Sequence, residues 1–262
     1  MKAINKDDTF LFDKVIVGPI KSRRLGNSLG INLLPTLSKV CNFDCNYCEC
    51  GWNKHTSKKP DFASLTTILN ELHKKIELMK VDSITFAGNG EPTLHPKFHQ
   101  IVIEIVNFRN EHFPKSKISV LTNGTQLHKP SIIKALKKID VVQIKLDAGL
   151  ESTFTRINSP NSGFTIEKLI KNLHTIDFDF EIQTMFVDGS FEGYPTGNVS
   201  EIEIRKWLKI IYEIQPKKVH IYSIDREVPL KCLEKVDSKQ LRDIANKVNK
   251  LGIHAEYYGE EL

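Results

Sequence analysis

The chain has 262 residues, 40% of them hydrophobic and 26% charged. That balance suits one globular domain with a sizeable core, or one domain with a small extension, and leaves little room for two full domains. A formal net charge of +5 permits a polyanionic partner such as RNA without requiring one. The first twenty residues mix acids, lysines and short apolar runs, and no segment approaches the ~18 to 20 apolar residues that cross a bilayer. A soluble cytoplasmic protein is therefore expected, and in a reducing compartment cysteines serve metals or reactions instead of pairing.

In chain order, short β-branched runs alternate with longer amphipathic stretches. The strand candidates are SLGINLLP (28–35), DSITFAG (82–88), KISVLTN (117–123), VVQIKLD (141–147), FEIQTMF (180–186) and KKVHIYS (217–223), with a last short strand at 253–258. Helical patterns fall between them at 65–79, 96–110, 130–138, 165–174, 201–214 and 238–251. Strands joined by crossover helices read as an α/β fold, a partial (βα)6 TIM-like barrel with mostly parallel strands and ligands at the carboxyl ends of those strands. The expected organisation is an N-terminal extension (1–27), a barrel core (28–226) and a C-terminal helix and strand packing on it (227–262). The stretch GSFEGYPTG (189–197) is the most turn-rich insertion.

Four of the five cysteines, Cys41, Cys45, Cys48 and Cys50, crowd into ten residues directly after the first strand candidate. Loops that tight make poor disulfide frameworks and good metal sites. The spacing of the first three is C-x3-C-x2-C, with Tyr47 immediately before the third. Three thiolates on one short loop can reach three irons of a cubane and leave the fourth iron open. The same residues also allow a structural zinc site with Cys50 as fourth ligand, which would make the chain a zinc-stabilised nucleic-acid-binding module. A ferredoxin-type electron carrier would explain a cluster but not why three cysteines suffice. Cys232, far down the chain, reads as a small buried hydrophobe.

The cysteine loop resembles that of the radical S-adenosylmethionine (SAM) superfamily, and Gly88-Asn89-Gly90-Glu91-Pro92 after the next strand is similar to that superfamily's GGEP motif. The resemblance implies a [4Fe-4S] cluster on Cys41, Cys45 and Cys48 whose open iron chelates SAM. It also implies reductive cleavage of SAM to a 5′-deoxyadenosyl radical that abstracts hydrogen from substrate, with electrons from flavodoxin or ferredoxin. It places Tyr47, Gly88, Asn89, Gly90, Glu91, Asn123 and Gln183 among the cofactor-binding residues, and Lys145, Asp147 and Arg226 around the reacting cavity. Cys50, two residues past Cys48, joins these catalytic candidates because three irons are already served. Gly18-Pro19 and the run Ser22 to Gly30 resemble a subgroup related to the tRNA wyosine synthases. Those enzymes carry further cysteines for a second cluster that this chain lacks, so pyruvate condensation onto a tRNA base is not carried over. An RNA base, a peptide or protein, and a small metabolite all remain open as substrate.

Overall fold

The computed structural model describes residues 10–53, 59–76, 80–161 and 163–259. The described residues form two compact units, one drawn from 11–41 and 53–143 and the other from residue 10, 42–52 and 144–259. The end of the first helix candidate at 77–79 and the first nine residues of the N-terminal extension lie outside the described residues.

The unit holding 53–143 opens with β1 (Ile16–Ser22), which contains a cis Gly18–Pro19 bond and pairs antiparallel with β2 (Gly26–Ile31). Helix α1 (Leu65–His73) follows; its N-cap Ser64 accepts from the Thr67 amide, and its buried Ile68 and Leu72 lie one turn apart. Next come β3 (Ser83–Phe86), a short 3-10 helix (Pro92–Leu94), α2 (Phe98–His112), β4 (Lys117–Thr122) and α3 (Pro130–Leu136). β2, β3 and β4 are parallel neighbours, with Ser28 opposite Ser83 and Thr85 opposite Ser119. Buried hydroxyls tie them together: Ser28 Oγ lies 2.7 Å from Thr85 Oγ1, and Ser83 Oγ 2.9 Å from Ser119 Oγ. The opposite face carries Leu29, Ile31, Ile84, Phe86, Ile118 and Val120, all fully buried.

Strand β5 (Val141–Lys145) leads into the other unit. There the chain forms α4 (Glu151–Asn158), α5 (Ile166–His174), β6 (Glu181–Met185), β7 (Val187–Phe191), β8 (Tyr194–Pro195), α6 (Glu201–Ile214), β9 (Lys218–Tyr222), β10 (Leu233–Lys235), α7 (Ser238–Asn249) and β11 (Ala255–Tyr258). β6, β9 and β11 are parallel in that order. Thr165, Ser200 and Asp237 cap α5, α6 and α7 through side-chain oxygens, as residues of those types do. The turn-rich insertion is the β7–β8 hairpin, with β10 on the other side of β7. The α/β class with mostly parallel strands is the one the sequence led us to expect. Among the described residues, no helix is long and apolar enough to cross a membrane.

Candidate functional site

The residues singled out in the sequence fall into two sets, one in each unit. In the first unit, the backbone just before the cysteine loop is strapped to the Gly88–Pro92 segment. Val40 N–H donates to the Asn89 carbonyl at 2.9 Å and Glu91 N–H donates to the Val40 carbonyl at 3.0 Å, a parallel bridge centred on Gly90. A Cβ at Gly90 would lie 2.0 Å from the Val40 oxygen, and its φ is +134°; a Cβ at Gly88 would lie 2.2 Å from Asn32 Oδ1. Both glycines are therefore required by close packing. The Asn89 side chain is committed to the fold: its Oδ1 accepts from Phe12 N–H at 2.8 Å, and its Nδ2 donates to the Phe12 and Pro35 carbonyls at 2.9 Å each.

Glu91 is buried, and its carboxylate is held by the 3-10 helix that follows it and by the end of β4. Oε1 accepts from Thr93 N–H at 3.1 Å and Thr122 Oγ1 at 2.7 Å, with the Thr93 hydroxyl also donating, while Oε2 accepts from Asn123 N–H at 2.7 Å. Burial raises its pKa, and these donors oppose the rise. Asn123, at the end of β4, aims its Nδ2 at Cys41 Sγ, 3.7 Å away.

In the other unit, the loop 42–52 is stitched to the carboxyl end of α4. Asp44 N–H donates to the Asn158 carbonyl and Asn46 N–H to the Ile157 carbonyl, both at 2.9 Å, so the loop satisfies carbonyls that a helix end leaves without partners. Phe43 packs edge-on against Phe154 of the same helix, ring centroids 5.5 Å apart. Cys48 N–H closes a tight turn onto the Cys45 carbonyl at 3.1 Å.

Asp147 organises the interior of this unit. Its Oδ2 accepts from Asn158 Nδ2 at 2.7 Å and from the Tyr47 hydroxyl, its Oδ1 accepts from Met185 N–H at 2.9 Å, and Lys145 Nζ stands 3.6 Å from Oδ2. Lys145 Nζ also donates to the Tyr47 oxygen at 2.8 Å. Burial opposes the charge on Lys145, but the Asp147 carboxylate together with the neighbouring Tyr222, Cys45 and Cys48 outweighs it, and the ammonium's pKa is raised. Burial, then the neighbouring Asp147, pushes the Tyr47 phenol well above its ordinary value. Burial likewise pushes the Cys45 thiol up to about 11 against the pull of Lys145. Asn158 Nδ2 donates to Cys45 Sγ at 3.4 Å.

Gln183 accepts from the Tyr222 hydroxyl at 3.1 Å through Oε1. Arg226 is exposed; it pairs with Glu49 at 2.7 Å and lies over the Phe10 ring, 5.8 Å from the centroid. Cys50 is half-buried. Asn158 and Asn198 were not singled out in the sequence. Asn198 donates to the Asp147 carbonyl at 2.7 Å and to the Met185 carbonyl at 2.9 Å, and accepts from Val187 N–H at 2.9 Å, pinning the ends of β5 and β6.

All five cysteines are free thiols. Among the described residues, no group of three or more His, Cys, Asp or Glu side chains gathers as it would around one metal ion. Cubane ligands bind different irons and need no such convergence. In each unit a loop sulfur faces an amide N–H donor, which suits a thiolate acceptor, so the donor set fits an iron-sulfur cluster.

The family model for the Radical SAM superfamily matches residues 36–194. The chain belongs to that superfamily. A protein named GTPase Obg from Brachyspira hyodysenteriae is 31% identical over 230 residues, covering 85% of this chain and 32% of that protein. A UPF0026 protein from Helicobacter pylori is 32% identical over 161 residues, covering 61% of this chain and 50% of that one. The chain thus spans about a third of the first relative and half of the second. The GTPase name stays with its bearer: this chain has no G-x-x-x-x-G-K-S/T segment. Similar solved structures include TYW1 with a lysine-pyruvate adduct bound, at TM-score 0.61 and 15% identity over 87% of this chain and 75% of that one. Another is Streptococcus suis SuiB bound to S-adenosylmethionine, at TM-score 0.63 and 16% identity over 89% of this chain and 52% of that one. At these identities the likeness shows a shared fold.

Proposed function

We propose that the chain is a radical SAM enzyme in which Cys41, Cys45 and Cys48 hold a [4Fe-4S] cluster. When bound, the cluster and SAM supply a 5′-deoxyadenosyl radical, which abstracts hydrogen from an RNA base, a peptide or protein side chain, or a small metabolite. The observation that carries this reading is the C-x3-C-x2-C loop of free thiols inside the segment matched by the superfamily model. In this reading residues 28–226 form the barrel core, with 1–27 as an extension and 227–262 packing on it. Only one cluster is held, since Cys50 and Cys232 are too few for a second.

The chain's own groups have distinct tasks. The Gly90 bridge fixes the backbone leading into Cys41, and Gly88 and Gly90 let main chain approach the amino end of SAM closely. Glu91 sets the end of β4, so that Asn123 is presented both to Cys41 and to SAM. Tyr47 is fixed by Asp147 and Lys145, which keeps the stretch between Cys45 and Cys48 in one conformation. Gln183 and Lys145 face the reacting cavity, with Cys50 and Arg226 nearer its rim. A one-electron donor such as flavodoxin or ferredoxin supplies the electron. Anaerobic reconstitution of the full chain tests the cluster assignment: about four irons and four sulfides per chain are expected, with alanine at Cys41, Cys45 or Cys48 abolishing them. Stoichiometric zinc, with Cys50 also required to retain it, would establish the zinc-stabilised module instead.

A further inference from the structure

Asn158 is fully buried, and its side chain spends both amide hydrogens on unusual acceptors. One donates to Asp147 Oδ2 at 2.7 Å and the other to Cys45 Sγ at 3.4 Å, while Oδ1 has no hydrogen-bond partner among the described residues. The orientation is forced, because exchanging the amide oxygen and nitrogen would set an oxygen against a carboxylate and against a sulfur. Asp147 cannot swing away, since its other oxygen is fixed by Met185 N–H at 2.9 Å. The backbone adds a second tie: the Asn158 carbonyl accepts from Asp44 N–H and the Ile157 carbonyl from Asn46 N–H, on either side of Cys45. Leaving a buried amide oxygen unpaired is unfavourable, so packing alone does not account for this arrangement.

We infer that Asn158 is a positioning residue for the iron-sulfur cluster: its N–H, oriented by Asp147, donates to the Cys45 ligand sulfur and favours the reduced cluster. The inference rests on the reading that Cys45 ligates the cluster. On reduction, one electron passes from the external donor to the cluster and its thiolates gain negative charge. A hydrogen bond from a fixed N–H is stronger to the more negative sulfur, so it raises the reduction potential. Asn123 and Cys41 form a similar but longer pair in the other unit, so its contribution is smaller.

The test is an EPR-monitored redox titration of the reconstituted full-length chain without SAM, comparing wild type with Asn158→Ala and with Asn158→Leu, which keeps the branched side-chain skeleton but has no side-chain N–H. Loss of one such hydrogen bond is expected to lower the equilibrium constant for reduction about fivefold, a shift of about 40 mV to more negative potential at 59 mV per tenfold. Asn123→Ala is expected to shift it less. If neither Asn158 variant loads, pulsed EPR of the reduced Asn123→Ala chain, labelled with 15N at its asparagine side-chain amides, decides. A 15N hyperfine coupling to the cluster supports the inference, and its absence overturns it. An unchanged potential in a loaded Asn158 variant also overturns it. A wild-type chain that binds no cluster fails the proposed function itself, a separate outcome.

Discussion

Gly90 offers a sharp test of how the cysteine loop is held. In Gly90→Ala the new Cβ would meet the Val40 oxygen at 2.0 Å and its carbonyl carbon at 2.5 Å, backbone atoms that no side-chain rotation can move aside. The residue would also sit at φ +134°, which costs a side chain about 1 to 3 kcal/mol. Relief requires opening the bridge and losing the hydrogen bonds of 2.9 and 3.0 Å made by Val40, at about 1 kcal/mol each. The sum is about 3 to 5 kcal/mol. Gly193→Ala is the control: Gly193 has φ +81° with nothing among the described residues within 4 Å of its Cβ position, and the substitution should cost only about 1 kcal/mol. Urea unfolding of the cluster-free chain measures both. Because Val40 precedes Cys41, Gly90→Ala should also retain less iron on reconstitution. Equal losses of about 1 kcal/mol in the two variants, with iron binding intact, would show that the Val40–Gly90 bridge does not hold the cysteine loop.

Asp147→Asn removes the carboxylate beside Lys145, whose side chain is 19% exposed, and should cost about 3 to 5 kcal/mol by leaving a mostly buried ammonium without its counter-charge. Adding Lys145→Met should recover a large part of that loss in a double-mutant cycle read by urea unfolding. His95 is buried as a neutral ring, with Nε2 donating to the Ala63 carbonyl and Nδ1 accepting from Lys97 N–H, both at 3.1 Å. Burial lowers its pKa, so the unfolded chain takes up the proton first. Its contribution to stability is complete above the ordinary histidine value of about 6.5 and is lost as pH falls below it. The urea midpoint should fall more steeply on acidification in wild type than in His95→Gln. Arg226→Ala should change stability by less than about 1 kcal/mol, because its ion pair with Glu49 is exposed; a larger loss by thermal melting would contradict that.

The strands of the parallel sheet were legible because each is an apolar or β-branched run bounded by turn residues. α6 begins and ends where the sequence predicts, with Ser200 as its cap. α4 was not legible. Its sequence ESTFTRIN is short, rich in threonine and lacks a capping side chain at Leu150. Both of its ends are satisfied from far away: Glu203 of α6 accepts from the Gly149 and Leu150 amides, and the cysteine loop serves the carbonyls. Asn158 was missed for the same reason, since its sulfur contact spans 113 positions in the chain. β10 has only three residues, and β1 is interrupted by Gly18-Pro19 with a register shift between Val17 and Ile20, so neither reads as a regular alternating run. The two glycines of Gly-Asn-Gly are demanded by contacts with Asn32 and Val40 that lie far away in the sequence. That the asparagine side chain is committed to Phe12 and Pro35 became evident only from the folded chain.

SAM cleavage by this chain is read by incubating the reconstituted full-length protein anaerobically with SAM and dithionite and measuring 5′-deoxyadenosine and methionine by mass spectrometry. Both products are expected in equal amounts from wild type and neither from Cys41→Ala, Cys45→Ala or Cys48→Ala. A fully iron-loaded wild-type chain that leaves SAM intact would contradict the proposed function.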